Sequence, residues 1–467
     1  MCDHNIILDT DSYKASHWLQ YPPKTTRVFS YIESRGGRSD ETVMFGLQYY
    51  LKKHLTKPVT EDNVVEAEAF FNAHGEPFNK EGWLHIVNDH AGLLPIVIRA
   101  VPEGTVVPVL NALVTVENTC DRCFWVTSWV ETMLLRIWYP ITVATESREI
   151  KKVIMSYLER TNDDPAGEIS FKLHDFGSRG VSSQESAAIG GAAHLVNFMG
   201  SDTVVGVMLA NRYYKSPMAG FSIPAAEHST ITSWGKENEA DAYRNMLSNF
   251  AKPGALVAIV SDSYDIYNAC ENIWGGTLKQ EVIDSGAIVV IRPDSGEPKD
   301  VVRDCLIILD KRFGSTVNSK GYKVLNNVRV IQGDGINRQS IEDILRLATK
   351  AGFSATNIAF GMGGALLQQH NRDTQKFAMK CSYMEADGKG IDVFKNPVTD
   401  PGKKSKRGRL DLVRLTNGKL ATSGIPHGND GRSMVTSLPH SVMETVFENG
   451  RIVKEYTLEE VRKSASL

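Results

Sequence analysis

A chain of 467 residues with 42% hydrophobic and 23% charged residues can bury a large core without covalent staples, and it is too apolar for long disorder. Its 52 Lys+Arg against 55 Asp+Glu leave a net charge of -3. That balance excludes the global basic field of a nucleic-acid binder, so any anionic ligand must be met by a local site.

The N-terminus, Met-Cys-Asp-His-Asn, lacks the basic and apolar segments of a signal peptide, and no apolar run approaches the length of a membrane span. Six cysteines (Cys2, Cys120, Cys123, Cys270, Cys305, Cys381) are too scattered for a disulfide framework and point to a reducing, cytoplasmic setting. From the N-terminus to residue 139, helical patterns such as 42–55 alternate with short apolar strands such as 94–101. Within this stretch Cys120-Asp-Arg-Cys123 has C-x-x-C spacing, but with no second pair or nearby histidine to complete a zinc site it reads as incidental thiols.

From Phe171 onward, apolar strand candidates end in polar or glycine-bearing tips and lead into helical periodicity. The clearest strands are 255–262, 287–294, 328–334 and 357–364, with helices predicted at 264–274, 300–313 and 340–351. Adding 171–176, 201–205 and 221–228 gives about seven strand tips, which suits a β/α barrel better than an open sheet with one switch point. Beyond Met379 the pattern is more β-like and closes on a short helix, 457–464. The expected fold is α/β: an irregular TIM-like β/α barrel (140–378) with an added α+β domain. The N-terminal segment (1–139) and the C-terminal segment (379–467), which packs back onto it, build that domain.

The tips carry His174-Asp175-Phe176-Gly177, Arg179, Asp202, Glu227-His228, Asp262, Arg292-Pro-Asp294-Ser-Gly296, Gly333-Asp334-Gly335 and Gly361-Met-Gly363-Gly364. Each alone reads as turn chemistry. Together, carboxylates at strand ends suit a hydroxylated sugar or Mg²⁺, glycine turns let backbone N–H groups approach phosphate, and a strand-tip arginine grips phosphate oxygens bidentately. A sugar phosphate is the ligand this set suggests. The basic run Lys403-Lys-Ser-Lys-Arg-Gly-Arg409 reads as a solvated loop.

Several of these segments resemble the nicotinamide phosphoribosyltransferase family. They are Asp11-Ser-Tyr13-Lys, Lys172-Leu-His-Asp-Phe-Gly177, Arg179-Gly-Val-Ser-Ser-Gln-Glu185, Pro224-Ala-Ala-Glu-His-Ser-Thr-Ile-Thr232, Ser261-Asp-Ser-Tyr-Asp-Ile-Tyr-Asn-Ala-Cys270, Ile291-Arg-Pro-Asp-Ser-Gly296 and Val330-Ile-Gln-Gly-Asp-Gly335. The likeness runs from Ile7 to the C-terminus. It implies a homodimeric type II phosphoribosyltransferase that acts on nicotinamide and 5-phosphoribosyl 1-pyrophosphate with Mg²⁺. It also implies ATP hydrolysis coupled through a phosphohistidine. Nicotinate phosphoribosyltransferase is the nearest alternative.

By the same resemblance, Phe176 and Tyr13 of the partner subunit sandwich the pyridine ring, and Asp202 faces its amide. Arg179 and Arg292 lie near base and phosphates, and Asp294 and Asp334 on the ribose or phosphate side. Gly363 and Gly364 form the phosphate loop, and Ser222 and Gly333 join the substrate-binding set. Arg372, Lys380 and Lys395 reach the phosphates from the other subunit. His228 is implied as the phosphorylated residue and Asp262 as the carboxylate that orients it; which residues hold the metal is left open.

Overall fold

The computed structural model describes residues 5–399, 404–433 and 435–467, so Cys2 and Lys403 lie outside the described residues. The chain divides into two units. One comprises Met1–Thr145, Tyr213–Lys215 and His370–Ser466; the other comprises Glu146–Arg212 and Ser216–Gln369.

The first unit is built on a seven-stranded antiparallel sheet in the order Lys389–Asp392, Phe377–Ala386, Thr25–Ser34, Ala112–Asn118, Ile96–Ala100, Glu444–Glu448, Arg451–Ile452. Strands from both ends of the chain therefore share one ladder. The central Ala112–Asn118 strand is buried along its whole length, so both of its faces are covered. Helix Lys80–Asp89 turns Trp83 and Ile86 inward. There Trp83 meets Trp125 and Trp129 edge-on, with ring centroids 4.9 and 5.1 Å apart. The helix predicted over 42–55 is shorter than expected. Residues Glu41–Val43 pair as a strand with Val106–Pro108, and helical turns begin only at Leu47, after Gly46 takes φ 97°.

The basic run is not simply solvated. Lys406 pairs with Glu33 and Arg409 with Glu117, both carboxylates being almost wholly buried, while Arg407 stacks on Phe394 at 5.7 Å. Among the described residues, no helix is long and apolar enough to cross a membrane.

The second unit holds six parallel strands in the order Gly200–Ser201, Leu173–Asp175, Ile358–Met362, Val328–Gln332, Ile288–Arg292, Leu256–Val260. The sheet curls, and one segment touches both of its edges: Phe221 bridges to Gly200, and Ala225 to Ala258. The strand predicted at 221–228 is therefore only this pair of bridges. Pro224 offers its carbonyl to Ala258 N–H at 3.0 Å but has no N–H to return, which prevents a continuous ladder. The strand predicted at 201–205 also shrinks, because helix Val204–Tyr213 begins almost at once. Helices Pro298–Phe313 and Arg338–Lys350 match expectation, the second burying Ile341, Ile344, Leu345 and Ala348 as one stripe. The stretch predicted at 264–274 starts as helix Ile266–Asn268 and continues in wider π turns through Thr277.

Strand-borne Ala258, Val290 and Ile331 form a small buried cluster, against which Phe176, Ile223 and Ala359 pack. Because the strands are parallel, Phe176, Asp202, Asp262, Asp294, Asp334 and Gly363 all follow strand C-termini and gather at one end of the sheet.

Candidate active site

Phe176 is aimed by the backbone. Its N–H donates to the Met362 carbonyl at 2.9 Å, extending the pairing of Leu173–Asp175 with Ile358–Met362. The ring lies on Gly361, where an added Cβ would come within 2.2 Å of Cδ2. At Gly333 a Cβ would stand 3.5 Å from the same ring and 3.3 Å from Asp294 Oδ1. Glycines at two neighbouring strand tips therefore let an aromatic face and a carboxylate share one floor.

Just before Phe176, Asp175 is wholly buried; its Oδ1 accepts from Gly177 N–H at 2.7 Å and so shapes the turn that carries Arg179. Burial pushes the Asp175 carboxyl up to about 6, against the Gly177 N–H and the neighbouring Thr203 hydroxyl. Burial likewise holds His174 below the ordinary histidine range, with Asp202 opposing.

Asp202 follows the adjoining strand, its N–H donating to the Asp175 carbonyl at 3.0 Å. Its carboxylate is exposed, and Oδ1 accepts from Ser222 Oγ at 2.5 Å. The bridging segment 221–225 thus brings Ser222 to Asp202. A pyridine carboxamide stacked on Phe176 would find an acceptor here, and a carboxylate in its place would find repulsion.

A second cluster centres on His228, the first residue of helix His228–Thr232, where Glu227 acts as N-cap and its side chain accepts from Ser229. The imidazole Nδ1 sits 3.1 Å from Ser263 Oγ. Its Nε2 lies 3.7 Å from Asp262 Oδ1 and 3.5 Å from Asp294 Oδ2, close enough for electrostatic steering but longer than a good hydrogen bond. Asp262 is held by Ser295 Oγ at 2.6 Å on Oδ2, while its Oδ1 is buried with no hydrogen-bond partner among the described residues. Arg292 reaches Asp294 at 3.8 Å, and its buried Nε also has none. A buried acceptor and a buried donor without hydrogen bonds, at the tips of neighbouring strands, suit a ligand bearing a cation and an anion. Asp334 is exposed at the next tip, and Gly364 has open space where a Cβ would be, so a ligand can approach its backbone.

Tyr13, Arg372, Lys380 and Lys395 belong to the other unit. There Tyr13 is exposed, T-stacked on His17 at 5.0 Å. Burial holds Lys380 below the ordinary lysine range, Glu131 opposes this, and the charges of Arg35, Lys395 and Arg372 add to it.

The sequence places Ser295 and Gly361 among the strand-tip residues and Ser263 within a motif but gives none of the three a role of its own. Each is adjacent to or one residue from a recognised tip residue, yet serine and glycine at a turn carry no signal until the strands are assembled.

A model of the nicotinate phosphoribosyltransferase (NAPRTase) family matches residues 171–451, and one of the N-terminal domain of nicotinamide phosphoribosyltransferase matches residues 5–98. The chain is 59% identical to a nicotinamide phosphoribosyltransferase of Xanthomonas campestris pv. campestris, over 99% of this chain and 98% of that protein. It is 32% identical to one from Acinetobacter baylyi, over 98% and 96%. The fold is similar to the crystal structures of nicotinate-nucleotide pyrophosphorylase from Pyrococcus furiosus (TM-score 0.62, 16% identity, 100% and 96% covered) and human nicotinic acid phosphoribosyltransferase (TM-score 0.56, 15% identity, 98% and 92% covered). With these matches spread along nearly its whole length, the chain belongs to the nicotinate phosphoribosyltransferase (NAPRTase) family, within its nicotinamide phosphoribosyltransferases.

Proposed function

We propose that this enzyme transfers the phosphoribosyl group of 5-phosphoribosyl 1-pyrophosphate to nicotinamide, yielding nicotinamide mononucleotide and pyrophosphate in NAD salvage. The observation that carries the choice of base is the exposed Asp202 carboxylate, held by Ser222 at the strand tip beside Phe176. Nicotinamide is flat and neutral, so the Phe176 face holds it and Asp202 accepts from its carboxamide N–H₂. Nicotinate would bring a second carboxylate against the first.

In the transfer, the ring nitrogen bonds to the anomeric carbon while the bond from that carbon to the pyrophosphate oxygen breaks, and its electron pair leaves with pyrophosphate. Phe176 positions the base. Arg292, whose Nε has no hydrogen-bond partner among the described residues, and Arg179 offer donors to the phosphates, and the Gly363–Gly364 backbone offers N–H groups. Asp294 and Asp334 would meet the ribose or the phosphates.

The donor set also fits Mg²⁺. Asp262 Oδ1 is a buried acceptor with no hydrogen bond among the described residues, Asp294 lies across the same histidine nitrogen, and hard carboxylate oxygens are what this ion takes. Bound there, Mg²⁺ would neutralise charge on the departing pyrophosphate.

ATP acts as a coupling co-substrate that phosphorylates His228. Ser263 on one ring nitrogen and two carboxylates facing the other support an oriented nucleophilic imidazole. Homodimer formation would supply Tyr13, Arg372, Lys380 and Lys395 to the partner's site, and the cytoplasm is the compartment that free thiols favour.

The deciding assay incubates pure protein with 5-phosphoribosyl 1-pyrophosphate, Mg²⁺ and either nicotinamide or nicotinate, with and without ATP. Mononucleotide from nicotinamide, faster with ATP, is the expected product; preferential use of nicotinate would overturn the reading.

A further inference from the structure

Far along the chain from the catalytic tips, the first unit gathers a second set of chemically potent side chains. The donor atoms of His85, His90, Cys120 and Cys123 all lie within 4.8 Å of one another. His85 lies in the second half of helix Lys80–Asp89 and His90 is its C-cap. Cys120 caps, and Cys123 ends, the 3₁₀ turn Asp121–Cys123 that follows strand Ala112–Asn118. The reading of Cys120 and Cys123 as incidental thiols is therefore incomplete. The histidines that a zinc site needs stand 30 residues or more upstream and reach the thiols only through the fold.

We propose that His85, His90, Cys120 and Cys123 form a structural Zn²⁺ site. Both spacings, H-x₄-H and C-x₂-C, fall in the range of structural zinc sites, and a Cys₂His₂ donor set is one of their standard compositions. In a tetrahedron with Zn–S and Zn–N bonds of about 2.3 and 2.0 Å, neighbouring donors stand roughly 3.3 to 3.8 Å apart. His85 Nε2 and Cys120 Sγ already stand 3.4 Å apart.

The other nitrogen of His85 is engaged as metal-bound histidines require: Nδ1 meets Asp89 Oδ2 at 2.5 Å, which leaves the Nε2 lone pair for the ion. Arg122, between the two cysteines in the chain, has Nη1 3.2 Å from the same Nδ1, a charge contact and not a hydrogen bond while that nitrogen donates to Asp89. The two imidazole rings cross at 89° with centroids 5.1 Å apart, so they do not stack on each other. Cys123 is wholly buried and the other three are half-buried, so a bound ion would be largely shielded.

Binding displaces the proton of each thiol, so two thiolates balance the ion's charge and pH release is built in. With four protein ligands no coordination position is left for substrate, hence the role is structural. The ion would staple the end of one helix to the turn after a central strand.

The test uses full-length, untagged protein purified without chelator. Metal analysis should find about one zinc per chain. Exchange with Co²⁺ should give thiolate-to-cobalt charge-transfer absorption and the d–d bands of a tetrahedral ion. Cys120→Ser and His90→Gln, at half-buried positions chosen because Cys123→Ser endangers folding, should each cut zinc content at least fivefold while keeping the parent's circular dichroism. A strong chelator should lower the parent's Tm by at least about 5 °C and leave the variants' Tm unchanged. Parent protein with negligible zinc even after refolding with Zn²⁺, an octahedral cobalt spectrum, or unchanged zinc in both variants would each overturn the proposal.

Discussion

Phe176 and Gly361 share a space that no side chain on Gly361 could enter, since a Cβ there would lie 1.9 Å from Phe176 Cε2. The aromatic face proposed to hold the base is thus set by the strand next door. Gly361→Ala should tilt or expel the ring, and overpacking of this kind costs about 1 to 3 kcal/mol. The expected outcome is a ten- to hundredfold loss in kcat/KM for nicotinamide, carried mainly by KM, which steady-state kinetics would read. An unchanged KM would separate Phe176 from base binding.

Replacing Asp202 by serine removes an ionic repulsion toward nicotinate and a charge-assisted hydrogen bond to nicotinamide. The ratio of kcat/KM for the two bases should move by roughly 2 to 4 kcal/mol in favour of nicotinate. Ser222→Ala, which only frees the carboxylate, should shift it in the same direction by less. Competition between the two bases in one reaction measures both.

His228→Ala should abolish ATP hydrolysis and ATP stimulation yet retain slow transfer, because Phe176, Arg292 and the carboxylates remain. Acid-labile, base-stable ³²P from γ-labelled ATP should map to His228. Ser263→Ala and Asp262→Asn should weaken labelling without ending it, since each removes one of the groups that fix the ring. Label on another residue sinks the assignment.

Asp175 gives stability a pH dependence of definite sign. Its carboxyl is raised from 3.8 to about 6 by burial, so between those values the folded chain holds a proton that the unfolded chain has lost. This contribution is full below the unfolded pKa and is lost as pH rises through about 6, by up to about 3 kcal/mol. In urea titrations from about pH 4 to 7, Asp175→Asn should flatten that slope. A variant whose slope matches the parent's would show that Asp175 titrates normally.

Subunit sharing can be read by complementation. Inactive Tyr13→Ala and Phe176→Ala chains, unfolded together and reassembled, should recover activity in about a quarter of all sites if pairing is random. Mixed dimers without activity would place Tyr13 and Phe176 in separate roles.

The strands 256–260, 288–292, 328–332 and 358–362 were legible in the sequence because continuous apolar runs ending in polar tips carry their own punctuation. So was the set of acids, arginines and glycines at those tips, and with it the family. The bridging segment at 221–225 was harder to read, because a proline-interrupted extended segment looks like a strand until its partners refuse a ladder.

Local pattern sufficed wherever a residue's role follows from its neighbours in the chain: the helix carrying Ile341, Ile344, Leu345 and Ala348, and the strand tips. It failed wherever the role depends on what another segment brings. Ser263 becomes a partner of His228 only across two strand tips, and Gly361 becomes a seat for Phe176 only across a parallel pair. Lys406 and Arg409 become anchors only against Glu33 and Glu117. His85 and His90 meet Cys120 and Cys123 only because a helix end docks on the turn after a strand. Sequence periodicity encodes which face of an element is apolar, but distances between polar groups on different elements are set by packing, and only the folded chain has them.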